Sequence, residues 1–89
     1  MKEVRVAKTF IAGEIAIIPL ERVGIRQHSA EEGFFVYVFK EPAGIVIDSP
    51  QGRWAIDVCG EQVSLETYIR EVDGLQKVLD SLQDQRESE

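Results

Sequence analysis

Cys59 is the only thiol in the chain and His28 the only imidazole, so nucleophilic chemistry would have to pass through one or both of them. An activated thiol needs a base or a positive charge beside it to lower its pKa. Asp57, two residues earlier on the same side of a strand, supplies the opposite sign. Cys59 stands just before Gly60, where a strand should end, and its expected role is packing, since free cysteines are among the most buried side chains. His28 falls in a polar stretch that closes with Glu31-Glu32-Gly33, and no motif orients it.

Metal chemistry would have to draw on Glu31, Glu32, His28, Asp48 and Asp57, which are all oxygen donors apart from one imidazole. The chain has no His-x-x-x-His, no cysteine pair and no Asp-rich twelve-residue loop. Neither a zinc nor an EF-hand signature is therefore present, and no metal or cofactor is expected. The glycines sit singly at strand ends and turns, without phosphate-binding spacing. Arg5, Lys8, Arg22 and Arg26 fall in the same half as Phe34, Tyr37 and Phe39, a mixture that stacking platforms for single-stranded nucleic acid also use. Here the arginines alternate with Val23 and Ile25 as the polar side of a strand. The net charge of −6 also repels phosphate backbones, so no nucleic-acid partner is expected.

That charge is unevenly placed: residues 1–40 sum to +1 and residues 41–89 to −7. Apolar residues at 44 % and charged residues at 29 % are ordinary for a globular protein, and no apolar run approaches the ~18 residues of a membrane span. The start, Met1-Lys2-Glu3-Val4-Arg5, lacks the apolar segment of a secretory signal, so a cytoplasmic, single-domain protein of 89 residues is expected. A lone cysteine fits a reducing compartment.

The elements that would position these residues come in two blocks, a strand-rich part over residues 1–60 and a helix over residues 64–83. Val4, Val6 and Phe10 alternate with polar positions, Ala12-Gly13 turns the chain, and Glu14 to Ile18 forms a second strand that Pro19 ends or confines to an edge. Val23 and Ile25 mark a third strand, and residues 28–33 a loop. Phe34 to Phe39, apolar at every position, reads as a central strand covered on both faces. Glu41-Pro42-Ala43-Gly44 should turn into a hairpin around Ser49-Pro50-Gln51-Gly52. That register sets Ile47 opposite Trp54, Ile45 opposite Ile56 and Asp48 opposite Arg53, with the large apolar residues on the core face. Val46, Asp48, Arg53, Ala55, Asp57 and Cys59 would then face solvent or a partner.

Ser64 is a natural N-cap, Glu66 places negative charge in the first turn, and Val63 and Tyr68 hold the positions of a hydrophobic staple. Leu65, Tyr68, Val72, Leu75, Leu79 and Leu82 follow at three- and four-residue intervals, widened by Ile69 and Val78 to about half the helix circumference. The unbroken phase predicts one long helix through Asp73-Gly74, with a frayed polar tail over residues 84–89. Strands first and a helix last predict an α+β domain: an antiparallel sheet of five to six strands, curled or partly barrel-like, with the helix on one face.

A stripe this wide has more apolar surface than one sheet contact needs. The expected function is therefore a non-enzymatic interaction module, a homodimer or an adaptor for another protein, with Leu75, Val78 and Leu82 on the partner-facing flank. The alternative is a small-ligand cleft between helix and sheet lined by Trp54, Tyr68 and Tyr37.

Overall fold

The computed structural model describes residues 2–30 and 33–87, with the side chains of Lys2, His28, Ala30, Phe34, Phe35, Arg86 and Glu87 left aside. It is an α+β domain with six antiparallel strands in an open sheet and two C-terminal helices. The strands are β1 (Lys2–Val6), β2 (Phe10–Ala12), β3 (Ile15–Ala30), β4 (Gly33–Ser49), β5 (Gly52–Ile56) and β6 (Gln62–Val63), followed by α1 (Leu65–Glu71) and α2 (Leu75–Glu87). The sheet order is β1-β3-β4-β5-β6, and β2 shares the β3 edge with β1.

Two strands dominate. β3 has 16 residues and β4 has 17, paired from Ala16↔Asp48 to Ala30↔Gly33. The sequence instead suggests that Pro19 ends a strand or confines it to an edge and that residues 28–33 form a loop, of which residues 31 and 32 lie outside the described residues. Pro19 is tolerated because its missing N–H falls in the gap between β2, which pairs with residues 15–17, and β1, which pairs with residues 20–24. The Pro19 carbonyl points the same way and accepts from the Ala7 N–H at 2.9 Å. The expected turn at residues 41–44 is a β-bulge inside β4: Leu20 pairs with Gly44 and Glu21 with Pro42, leaving Ala43 as the extra residue. The Tyr68 hydroxyl donates to the Ala43 carbonyl at 3.4 Å. A Cβ on Gly44 would come within 2.8 Å of the Ile56 carbonyl oxygen, so the bulge also needs a residue without a side chain.

Beyond residues 24 and 39 only β3 and β4 remain paired, and they project as a two-stranded arm. The molecule is 60 Å long and has a radius of gyration of 16.4 Å, against about 12 Å for a compact chain of this length. The Phe34–Phe39 run is thus not a central strand buried on both faces. Val36, Tyr37 and Val38 lie exposed on the arm, and the side chains of Phe34 and Phe35 lie outside those described. At the arm's root the Phe39 ring lies over Gly24, where a Cβ would meet the ring, and the Arg26 guanidinium sits 5.2 Å from the ring centroid.

The single long helix is two shorter ones. Val72 leaves α1 in extended geometry (φ −107°, ψ 112°), Asp73 makes one backbone bridge to Arg5, and Gly74 turns the chain at φ +87° into α2. The three-four spacing survives this break because Val72, at the break, and Leu75, at the start of α2, both point into the same core. Ser64 does cap α1, accepting from the Thr67 N–H at 3.4 Å.

Candidate interaction surface

Side chains alternate across a strand, so β3 and β4 each present one set of residues to the helices and the other set away from them. The helix side carries Ile18 and Leu20 of β3, Val46 of β4 and Ala55 of β5, buried against Val72, Leu75 and Leu79. The hairpin register is the expected one, Ile45↔Ile56, Ile47↔Trp54 and Asp48↔Arg53. Its faces are reversed. Val46, Asp48 and Ala55, expected outside, are fully buried, whereas Ile45, Ile47, Trp54 and Ile56 are half-buried on the side that bears no helix. Alternation alone identifies two faces. It does not say which one the helices cover.

An ion pair made the core face look polar in sequence. Asp48 is fully buried, and the Arg53 Nε donates to its Oδ1 at 3.1 Å. The Arg53 Nη2 reaches across to the Leu79 carbonyl of α2 at 3.1 Å, so one guanidinium ties sheet to helix. Next to it the Ser49 hydroxyl donates to the Gly52 carbonyl within the hairpin turn at 3.0 Å. This polar group closes the core rather than forming a reactive set, because each donor is committed to a structural acceptor.

The uncovered face is built of cross-strand rows. Phe10, Ile17, Ile47 and Trp54 are successive partners across β2, β3, β4 and β5, so they lie side by side on one face. Pro19, Ile45 and Ile56 form the next row. Phe10 is 58 % exposed. Farther along the same alternation come Arg5 and Glu21, joined by a 2.7 Å ion pair, then Glu3, Val23 and Lys40. The arm continues the series with Ile25 opposite Val38 and Gln27 opposite Val36. Ile25, Val38 and Val36 are 48 %, 62 % and 51 % exposed.

The residues expected to meet a partner are dispersed. Leu75 is fully buried in the chain's own core, so it cannot belong to a partner-facing flank. Val78 and Leu82 pack partly against that core and border a shallow groove of about 390 Å³ with Ile11 of β2. Tyr68 is on the helix side, where its hydroxyl holds the bulge. Burial, then the carboxylates of Asp57 and Glu71, raise its pKa above the usual phenol range, partly offset by Arg22. Trp54 is on the opposite face and Tyr37 is out on the arm, so the three aromatic residues expected to line one ligand cleft share none.

Cys59 is exposed rather than packed, in a turn that the Asp57 carboxylate organises by accepting from the Cys59 and Glu61 N–H groups at 2.9 and 3.0 Å. Among the described residues, no three His, Cys, Asp or Glu side chains converge as a metal site would require. Glu31 and Glu32 lie outside the described residues, as does the His28 side chain. No helix is long and apolar enough to cross a membrane. No protein-family model, curated protein or solved structure matches this chain.

Proposed function

We propose that this protein is a non-enzymatic interaction module that associates with a second copy of itself through the helix-free face of its sheet. The observation that carries this reading is the set of apolar rows led by Phe10, Ile17, Ile47 and Trp54, which no element among the described residues covers. Phe10 is 58 % exposed beside half-buried Ile17, Ile47 and Trp54, and a contiguous apolar patch open to solvent marks an interaction site. The quantity of surface points the same way. The chain exposes 6569 Å², whereas a compact monomer of 10.0 kDa exposes about 5,200 Å². The excess, on the order of 1,300 Å², is what the 60 Å long shape leaves open to solvent, the arm included.

The helical side is the poorer choice for a like partner. Its exposed Glu66, Glu71, Asp73, Asp80 and Asp84 outnumber Arg70 and Lys77, so two such surfaces repel. Sedimentation velocity from low to high micromolar protein tests the proposal. A dimer is expected, with an association constant that Phe10→Asp lowers at least tenfold while far-UV circular dichroism stays unchanged. A monomer across the whole range would refute self-association.

A further inference from the structure

The helix-free face has an internal order that specifies how a second copy sits on it. Its first apolar patch, Phe10, Ile17, Ile47 and Trp54, is on the body. Its second, Ile25, Val36 and Val38, is on the arm, about 26 Å farther along β3 at about 3.3 Å per residue. Between them lies a charged band of Glu3, Arg5, Glu21 and Lys40 around the half-buried Val23, with two charges of each sign. A shallow groove of about 330 Å³, lined by Pro19, Glu21, Lys40, Pro42 and Ile45, runs from the body into the band, so the face is continuous across the bulge.

An apolar, charged, apolar series is self-complementary under a two-fold rotation centred on the charged band. Each arm patch then meets the other copy's body patch, and the two neutral bands meet each other. Stacking the same faces without that exchange would bury Phe10 and Trp54 but leave both arms exposed. It would not account for the surface excess or for the apolar arm.

Resting on the self-association proposed above, we infer that the dimer is a reciprocal clasp. The arm of each protomer lies across its partner's Phe10, Ile17, Ile47 and Trp54, seating Ile25 and Val38 there. The right-handed twist of a two-stranded ribbon makes the arm wrap as it crosses instead of lying flat.

Two variants test this by mixing. Ile25→Asp/Val38→Asp removes the arm patch, and Phe10→Asp/Trp54→Asp removes the body patch. In a clasp each variant alone is monomeric, and an equimolar mixture forms a heterodimer with one arm–body contact intact, weaker than the wild-type dimer and detectable by light scattering at concentrations where each variant alone stays monomeric. An arm variant that stays dimeric, or a mixture that stays monomeric, would overturn the clasp while leaving wild-type self-association standing. A monomeric wild-type protein would instead remove the underlying proposal.

If the body variant does not fold, cross-linking decides. In a Cys59→Ser background, Val38→Cys with Ile47→Cys should give a disulfide-linked dimer under mild oxidation. The two positions in one chain pair with Ile25 and Ile17 of β3 and so lie roughly 26 Å apart, far beyond the ~7 Å between Cα atoms that a disulfide spans. Val38→Cys alone should remain uncrosslinked. Equal cross-linking by that single variant would mean that arm meets arm, and no cross-linking of the double variant in a dimeric protein would mean that arm and body do not meet.

Discussion

Replacing Arg53 by alanine tests which face of the sheet is the core. Arg53 supplies the cation beside a carboxylate that is 0 % exposed and holds the Leu79 carbonyl of α2. Removing one partner of a buried ion pair costs about 3–5 kcal/mol, much of it from the charge left behind. The Arg53 side chain is 27 % exposed, so water can reach part of the space, which places the expected loss at the lower end, about 3 kcal/mol. A chain of 89 residues has a total stability of about 4–13 kcal/mol, so the loss is a large fraction of it. Urea unfolding at one fixed low protein concentration, followed by far-UV circular dichroism, should show the midpoint falling by about 3 M for an m-value of about 1 kcal/mol/M. Asp48→Leu combined with Arg53→Met should recover most of the loss, because apolar residues of similar volume replace buried pairs at little cost. A loss below about 1 kcal/mol for Arg53→Ala would mean that the pair behaves as a surface pair. The face assignment, and the uncovered surface deduced from it, would then be wrong.

Leu75→Ala should cost about 2–5 kcal/mol by the same urea assay, and Val78→Asp with Leu82→Asp should destabilise the monomer instead of dissociating a dimer, since these side chains pack on the chain's own core. Release of a stable folded monomer by the latter pair would restore the helix flank as the interface. The raised Tyr68 pKa means that folding favours its neutral form, so this contribution is complete below the ordinary phenol pKa of about 10 and is lost as pH rises through the higher folded value. Wild-type stability should therefore fall more steeply above about pH 10 than that of Tyr68→Phe, and parallel alkaline profiles would refute the assignment. Cys59 should react with a thiol reagent in the native protein nearly as fast as in urea, and protection of tenfold or more would contradict its exposure.

Local patterns carried much of the fold. The hairpin register around Ser49 to Gly52 and the Ser64 cap each depend on a few neighbouring residues, and each stands as expected; the strand expected over Val4 to Phe10 is instead two, β1 and β2, with Val4 and Val6 on the helix side and Phe10 on the opposite face. Choices made at longer range were not legible. Whether Val46 or Ile47 faces the helices depends on packing against Val72, Leu75 and Leu79, more than twenty residues away, and an Asp at a core position reads as solvent-facing until its partner is known. Apolar Phe34 to Phe39 suggests burial because sequence records the hydrophobicity of a strand but not whether a third strand lies beside it. The helix phase passed through Gly74 because packing against one core preserves the spacing of Val72 and Leu75 whether or not the backbone between them is helical. The uncovered face was missed for the same reason: its residues are the ones expected to form the core.

The ring of Phe39 over Gly24, with Arg26 beside it, bears on the thermodynamics of association. A two-stranded ribbon with no layer behind it is marginal on its own and would sweep through many directions in the free protein. Freezing such motion on binding would consume part of the interaction free energy, at about 0.5–1.5 kcal/mol for each rotamer-rich side chain immobilised. By filling the space beside a glycine where the arm leaves the body, the aromatic ring splints the ribbon at its root and sets the direction of the arm before any partner arrives. In the proposed dimer the entropy of ordering the arm would then be lost during folding rather than during association, so more of the apolar contact energy would appear as affinity.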